Sequence, residues 1–165
     1  MEHNLPRIIS ARKMTYNGLI LCRIQADLFA NYYDFSPCSP YIFIRRFSYS
    51  FLAKSFDDTT ILLDASSNQT FIDEIDRQFG KTTFGASKQI DKDAMYWVGY
   101  VYRYISYIYK IPSDELFIKV KPNILLSRFR LYHSMDIEYA IERIIEEEGI
   151  DLTTHKEIST KYYRV

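Results

Sequence analysis

AMYWVGYVYRYISYIYKI, residues 94–111, decides the fold class. Six tyrosines, one tryptophan and a series of aliphatic residues fill it, with Arg103 as the only charge before Lys110. Tyr96, Tyr100, Tyr104 and Tyr107 recur at i, i+4, i+8 and i+11, flanked by Trp97, Val101, Ile105 and Ile108. Met95, Val98, Tyr102 and Tyr109 cover a second side. This is helical spacing, and a helix apolar on most sides is central in its domain or carries a partner on its second face. Arg103 in the middle costs roughly 2.5–3.5 kcal/mol in a bilayer, so the helix is not a membrane span. The arginine is expected to pair with a carboxylate or to stack on a tyrosine. Gly99 costs about 1 kcal/mol relative to alanine in a helix interior, and close approach of another backbone would offset that.

Boundaries around this helix are readable. Asp91 or Asp93 opens it, placing a carboxylate at the positive end of the helix dipole, and Ile111-Pro112 closes it. Upstream, Ser66 or Ser67 caps a helix whose stripe is Phe71, Ile72, Ile75 and Phe79, with Gly80 as its stop and a polar loop over 81–92. Downstream, Ser113 is expected to cap a short helix, DELFIKV. Pro122 starts another to about Tyr132, and Ser134 or Asp136 caps a last one closed by Gly149, with Ile137, Ala140, Ile141, Ile144 and Ile145 inside. Nearer the N-terminus, apolar spacing predicts a helix over 15–33. After Ser39 and Pro40, YIFIRRFSYSFLAKSF reads as one helix with Ile42, Phe43, Phe47 and Phe51 on one side. Ile61-Leu62-Leu63 is too short to assign, a buried extended piece being one reading.

The expected architecture is all-α: a single domain over residues 14–150, a bundle of about five to seven helices around the Tyr-rich one. Residues 1–13 read as a flexible segment and 151–165 as a polar tail. A chain of 165 residues can bury a core without disulfides or metal. Its 15 Tyr and 11 Phe suit half-buried seams and interfaces. The 21 acidic and 21 basic residues cancel, which argues against strong non-specific binding to nucleic acid. Cys22 and Cys38 lie in no metal-ligand spacing, and the opening MEHNLPRIISARK lacks the apolar run of a secretory signal. Reduced thiols and a cytoplasmic protein are expected.

No set of residues assembles a catalytic site in the sequence. Gly80-Lys81-Thr82 resembles the end of a phosphate-binding loop, but position 75 is isoleucine where that loop needs glycine, and the triplet follows a helix instead of a strand. His133 has Arg128, Arg130, Ser134 and Asp136 nearby, yet a nuclease needs a second placed acid or base. The acidic clusters Asp57-Asp58 and Asp73-Glu74 with Asp76 read as solvated, and neither a metal nor a cofactor is expected. Glu146 to Glu148 lie at the unfavourable end of their helix, as a solvated face or one that meets a basic partner. Arg45 and Arg46 follow a loose helix-turn-helix and are candidate contacts to operator DNA, although the turn is longer than the tight motif uses.

YIFIRRF (41–47), the aromatic helix, and YHSMDIEYAIERI (132–144) together resemble a family of small bacterial proteins frequent in Gram-positive gut species. Its members carry a "YWxGYxYRY" helix and a later "HxxDxxxAIxxI" segment. The similarity covers roughly residues 40–147, and Ile137 stands where relatives tend to have proline. Members are often encoded beside ADP-ribosyltransferase-like toxins. The resemblance therefore implies a non-enzymatic antitoxin or accessory partner of a cognate toxin. Its expected contact surface comprises Tyr96, Trp97, Tyr100, Arg103, Tyr104 and Tyr107 of the aromatic helix, with Arg128, Arg130 and His133.

Overall fold

A computed structural model describes residues 12–63 and 66–152. The described residues form eight α-helices, one short 3₁₀ helix and no strand. They are α1 (Tyr16–Phe35), α2 (Pro40–Ser48), α3 (Phe51–Asp57), the 3₁₀ turn Thr60–Leu63, α4 (Asn68–Phe79), α5 (Lys92–Tyr109), α6 (Ser113–Lys119), α7 (Pro122–Tyr132) and α8 (Ile137–Glu148). The count exceeds the five to seven expected. The expected flexible N-terminal segment lies outside the described residues except for Arg12 and Lys13, as does the polar tail except for Asp151 and Leu152.

The extra helix comes from Ser50. Its hydroxyl donates to the Phe47 carbonyl (2.6 Å) and accepts from the Ala53 N–H (3.0 Å), ending α2 and capping α3. The single helix expected over YIFIRRFSYSFLAKSF is therefore two. Phe51, expected inside, is 68% exposed, while Phe43, Phe47 and Phe56 are buried. These join an edge-to-face chain from Phe29 through Phe47 and Phe56 to Phe71, each pair of ring centroids 5.1–5.7 Å apart. Aromatic pairs favour that geometry because a positive ring edge meets a negative face. Tyrosines sit at the margins of this core, where their hydroxyls reach carbonyls: Tyr32 donates to Cys38 (2.8 Å) and Tyr102 to Val120 (2.6 Å).

Instead of one central helix, the middle of the fold is an antiparallel pair, α1 on α5. A Cβ on Gly99 would lie 2.7 Å from Phe29 Cγ and 3.1 Å from Ala26 Cα, and one on Gly18 would lie 2.6 Å from the Tyr107 ring. The missing side chain at position 99 is what lets the two backbones approach. Gly99→Ala gains about 1 kcal/mol of helix propensity, but it must push apart a backbone and a buried ring, with overpacking costs of typically 1–3 kcal/mol. Net destabilisation is expected, read as a lower urea midpoint with unchanged helical content. An equal or higher midpoint would mean that the pair has slack at this crossing.

Helix ends follow local chemistry. Thr15, Ser67, Asp91 and Asp136 each accept an N–H of the turn they precede. Gly80 and Gly149 stop α4 and α8 at positive φ of 79° and 59°, where glycine carries no Cβ penalty. Ser113 does not cap α6 as expected. It is the first residue of that helix, and its N–H is taken by Asp57 Oδ2 at the end of α3 (3.0 Å), so α6 is capped from elsewhere in the chain. Phe79, placed in the α4 stripe by its spacing, is 43% exposed at the helix end. Ile61-Leu62-Leu63 closes the 3₁₀ turn and is not extended.

Candidate functional site

Tyr96, Tyr100 and Tyr104 form a ladder along α5. Successive rings are near-parallel, with centroids 6.4 and 6.2 Å apart. Four residues overshoot a full helical turn by about 40°, so each rung rotates relative to the last. The ladder therefore winds from surface to interior. Tyr96 is 39% exposed, Tyr100 is intermediate and Tyr104 is buried. At the inner end the Tyr104 hydroxyl donates to Glu138 Oε1 of α8 (2.8 Å). Burial, then this bond to an acid, pushes the Tyr104 phenol well above its ordinary range. Tyr100 is raised by burial and by its neighbours, with Arg23 of α1 opposing.

Beside the outer rungs lies a cleft of about 530 Å³, lined by Asp91, Asp93, Tyr96, Trp97, Tyr100, Phe129 and His133. Trp97 packs on Phe129 of α7 (6.0 Å between centroids), and Phe129 on His133 (4.7 Å). His133 Nδ1 lies 2.9 Å from the Phe129 carbonyl, which can only accept, so Nδ1 carries the proton and Nε2 is the acceptor of the neutral ring. On the α5 side, Asp91 caps the helix by accepting from the Asp93 N–H (2.7 Å). Lys92 is turned away, onto Asp34 (2.6 Å). The cleft thus combines aromatic walls, two carboxylates and one imidazole, and no lysine or arginine lines it.

Of the expected contact residues, Tyr96, Trp97, Tyr100 and His133 meet in this cleft. Arg103 does not reach the surface. It is 1% exposed and binds Asp57 (2.7 Å), Gln25 (2.7 Å), Ser113 (2.8 Å) and Ser106 (3.1 Å), joining α1, α3, α5 and α6. Asp57, read as solvated, is the acid of that network. Tyr107 is also internal, bonded to Thr15 (2.7 Å) and covered by the Arg12 guanidinium, 3.7 Å above its ring. Arg128 is engaged within the chain, with Glu147 (3.4 Å) and Glu148 (2.5 Å), so it meets the acidic run that had suggested a basic partner. Arg130 is exposed on α7 and lies outside the cleft lining. The expected DNA pair is split: Arg45 is exposed, whereas Arg46 bonds Asp76 (3.3 Å) and the Gly80 carbonyl and lies over Phe79. Asp76, read as solvated, has only 9% of its side chain exposed.

Sequence reasoning missed Phe129, Asp91 and Asp93 as cleft residues. Phe129 lies four residues before His133 and so shares its side of α7. That spacing was available, but the packing of α7 on α5 was not. Both cysteines are free and buried, and burial pushes the Cys22 thiol up to about 12. Among the described residues, no three His, Cys, Asp or Glu side chains converge as metal ligands, and no helix is long and apolar enough to cross a membrane. No protein-family model, no curated protein and no solved structure matches the chain.

Proposed function

We propose that this chain is a non-enzymatic protein-binding module that neutralises or accompanies a cognate toxin, using the cleft between α5 and α7 as its contact site. The observation that carries the reading is the Tyr96–Tyr100 ladder opening into a cleft with Trp97, Phe129 and His133. Rigid aromatic side chains at a concave surface bring large contact area at small entropic cost, which is where binding hot spots concentrate. Leu131 (61%), Met135 (43%) and Tyr139 (50%), around the α7–α8 junction, are further exposed apolar side chains. The toxin as partner class comes from the family resemblance of the aromatic helix and the segment from Tyr132.

Co-expression with the product of the adjacent gene tests the reading by growth and by co-purification. A toxic neighbour, rescued growth and a stable complex support it. A harmless or non-binding neighbour sinks it. Tyr96→Ala combined with Tyr100→Ala is expected to weaken the complex by roughly 30-fold or more, as loss of two hot-spot rings implies. Both side chains are at least partly exposed, so the helical circular-dichroism signal should persist. Unchanged affinity would remove the cleft as the contact site.

A further inference from the structure

The composition of the cleft points to what enters it. We infer that it receives an arginine side chain of the partner protein; this rests on the protein-binding reading above and specifies its chemistry.

Charge is the first ground. Asp91 and Asp93 both line the cleft, and no basic side chain among its lining residues offsets them except His133. Lys92, between the two acids, is held by Asp34 and Asn31 on the α1 side. Asp91 accepts the first-turn N–H of Asp93. The Asp93 carboxylate forms no ion pair with any described residue and is exposed. A site so composed favours a cation.

Shape and surface are the second ground. The rings of Tyr96, Tyr100 and Trp97 line the cleft, and aromatic π clouds attract a positive charge. A guanidinium is planar and weakly hydrated, so it stacks on such faces while its N–H groups remain free for acceptors at its edge. The Asp93 carboxylate is one acceptor, and in the neutral His133 ring Nε2 is a second, since Nδ1 is committed to the Phe129 carbonyl. An ammonium would satisfy the charge but not the stacking.

The molecule already uses this mode elsewhere on the same helix. The Arg12 guanidinium lies 3.7 Å above the Tyr107 ring while its Nε donates to the Tyr107 carbonyl (2.6 Å). A tyrosine of α5 with an acceptor beside it therefore holds an arginine in this fold.

Trp97 is the only tryptophan in the chain and lines the cleft, so its fluorescence reports occupancy directly. The full chain is titrated with the tripeptide Gly-Arg-Gly and, in parallel, with its neutral isostere Gly-citrulline-Gly and with Gly-Lys-Gly. A saturable change with the arginine peptide, in the roughly millimolar range suited to one side chain, is expected. Citrulline should bind at least about tenfold more weakly, and lysine should fall between the two. Asp93→Asn should weaken the arginine peptide severalfold and remove most of its salt dependence. Tyr96→Leu, which keeps the apolar bulk and loses the aromatic face, should weaken it as well. Equal response to arginine and citrulline, or no saturable response to about 50 mM arginine peptide, overturns the inference. The outcomes separate from those of the toxin reading. Peptide binding with no complex formed by the neighbouring gene product leaves the cleft chemistry standing and removes that partner. A stable complex that is indifferent to Asp93→Asn and Tyr96→Leu keeps the antitoxin reading and removes the arginine.

Discussion

Replacing Arg103 with methionine is expected to destabilise the fold by about 3–5 kcal/mol, the cost of leaving a buried charge without its partner. For a chain of this size that is a fall in Tm of roughly 6–20 °C. Methionine fills much of the space but donates nothing. Asp57 would lose its cation, and Gln25 and Ser113 would each lose a donor, beneath a surface where water cannot replace them. Asp57 would also hold the Ser113 N–H with no cation beside it, so the start of α6 should loosen. Asp57→Ala should cost about as much alone, and the double variant clearly less than the sum, because each single change strands the other's charge. Additive losses would show that the pair is not a unit. Thermal melts of the four proteins measure this. Stability should fall in the single variants without selective loss of peptide or partner binding at the α5–α7 cleft, which Arg103 does not line.

Alkaline pH should unfold the protein well before its arginines lose charge. Burial pushes the Cys22 thiol up to about 12 and raises the Tyr32 and Tyr102 phenols well above their usual range. In the unfolded chain a thiol releases its proton near 8.5 and a phenol near 10. Above those values the unfolded state has lost protons that the fold retains. Folding then binds protons, and stability falls as pH rises. It is fully present below about pH 8 and declines by about 1.4 kcal/mol per pH unit for each group in its window. By pH 11 the three groups together account for about 6 kcal/mol, comparable with the total stability of a small domain. Urea midpoints at pH 8, 10 and 11 check this. Tyr102→Phe should flatten the slope above pH 10, and Cys22→Ala the slope below it. A midpoint constant to pH 11 would mean that these groups ionise in place.

Caps and stops were readable because each is settled within a turn of its own residue. Ser67, Asp91 and Asp136 cap, Pro40 and Pro122 begin helices, and Gly80 and Gly149 end them by side-chain reach or by φ alone. Ser50 obeys the same rule but was hidden in an apolar run whose spacing fits one helix through it. Ser113 misled for the opposite reason. Its type suits a cap, and a carboxylate 56 residues away took the N–H while the serine turned to Arg103.

The sequence by itself determined a helical fold, the extent of the Tyr-rich helix and, at Gly99, room for another backbone to approach, because periodicity, capping and the absence of a side chain are local properties. It also brought Tyr96, Trp97 and Tyr100 onto neighbouring sides of one helix. Which rungs of that helix face outward was decided only when α1, α7 and α8 packed on it. The same packing drew Arg103 to Asp57, Arg46 to Asp76 and Arg128 to Glu147 and Glu148, leaving both acids of the cleft, Asp91 and Asp93, without a cation among the described residues. A charge interacts with whatever lies within a few ångströms, and distance in the chain carries no information about that until the helices are in contact.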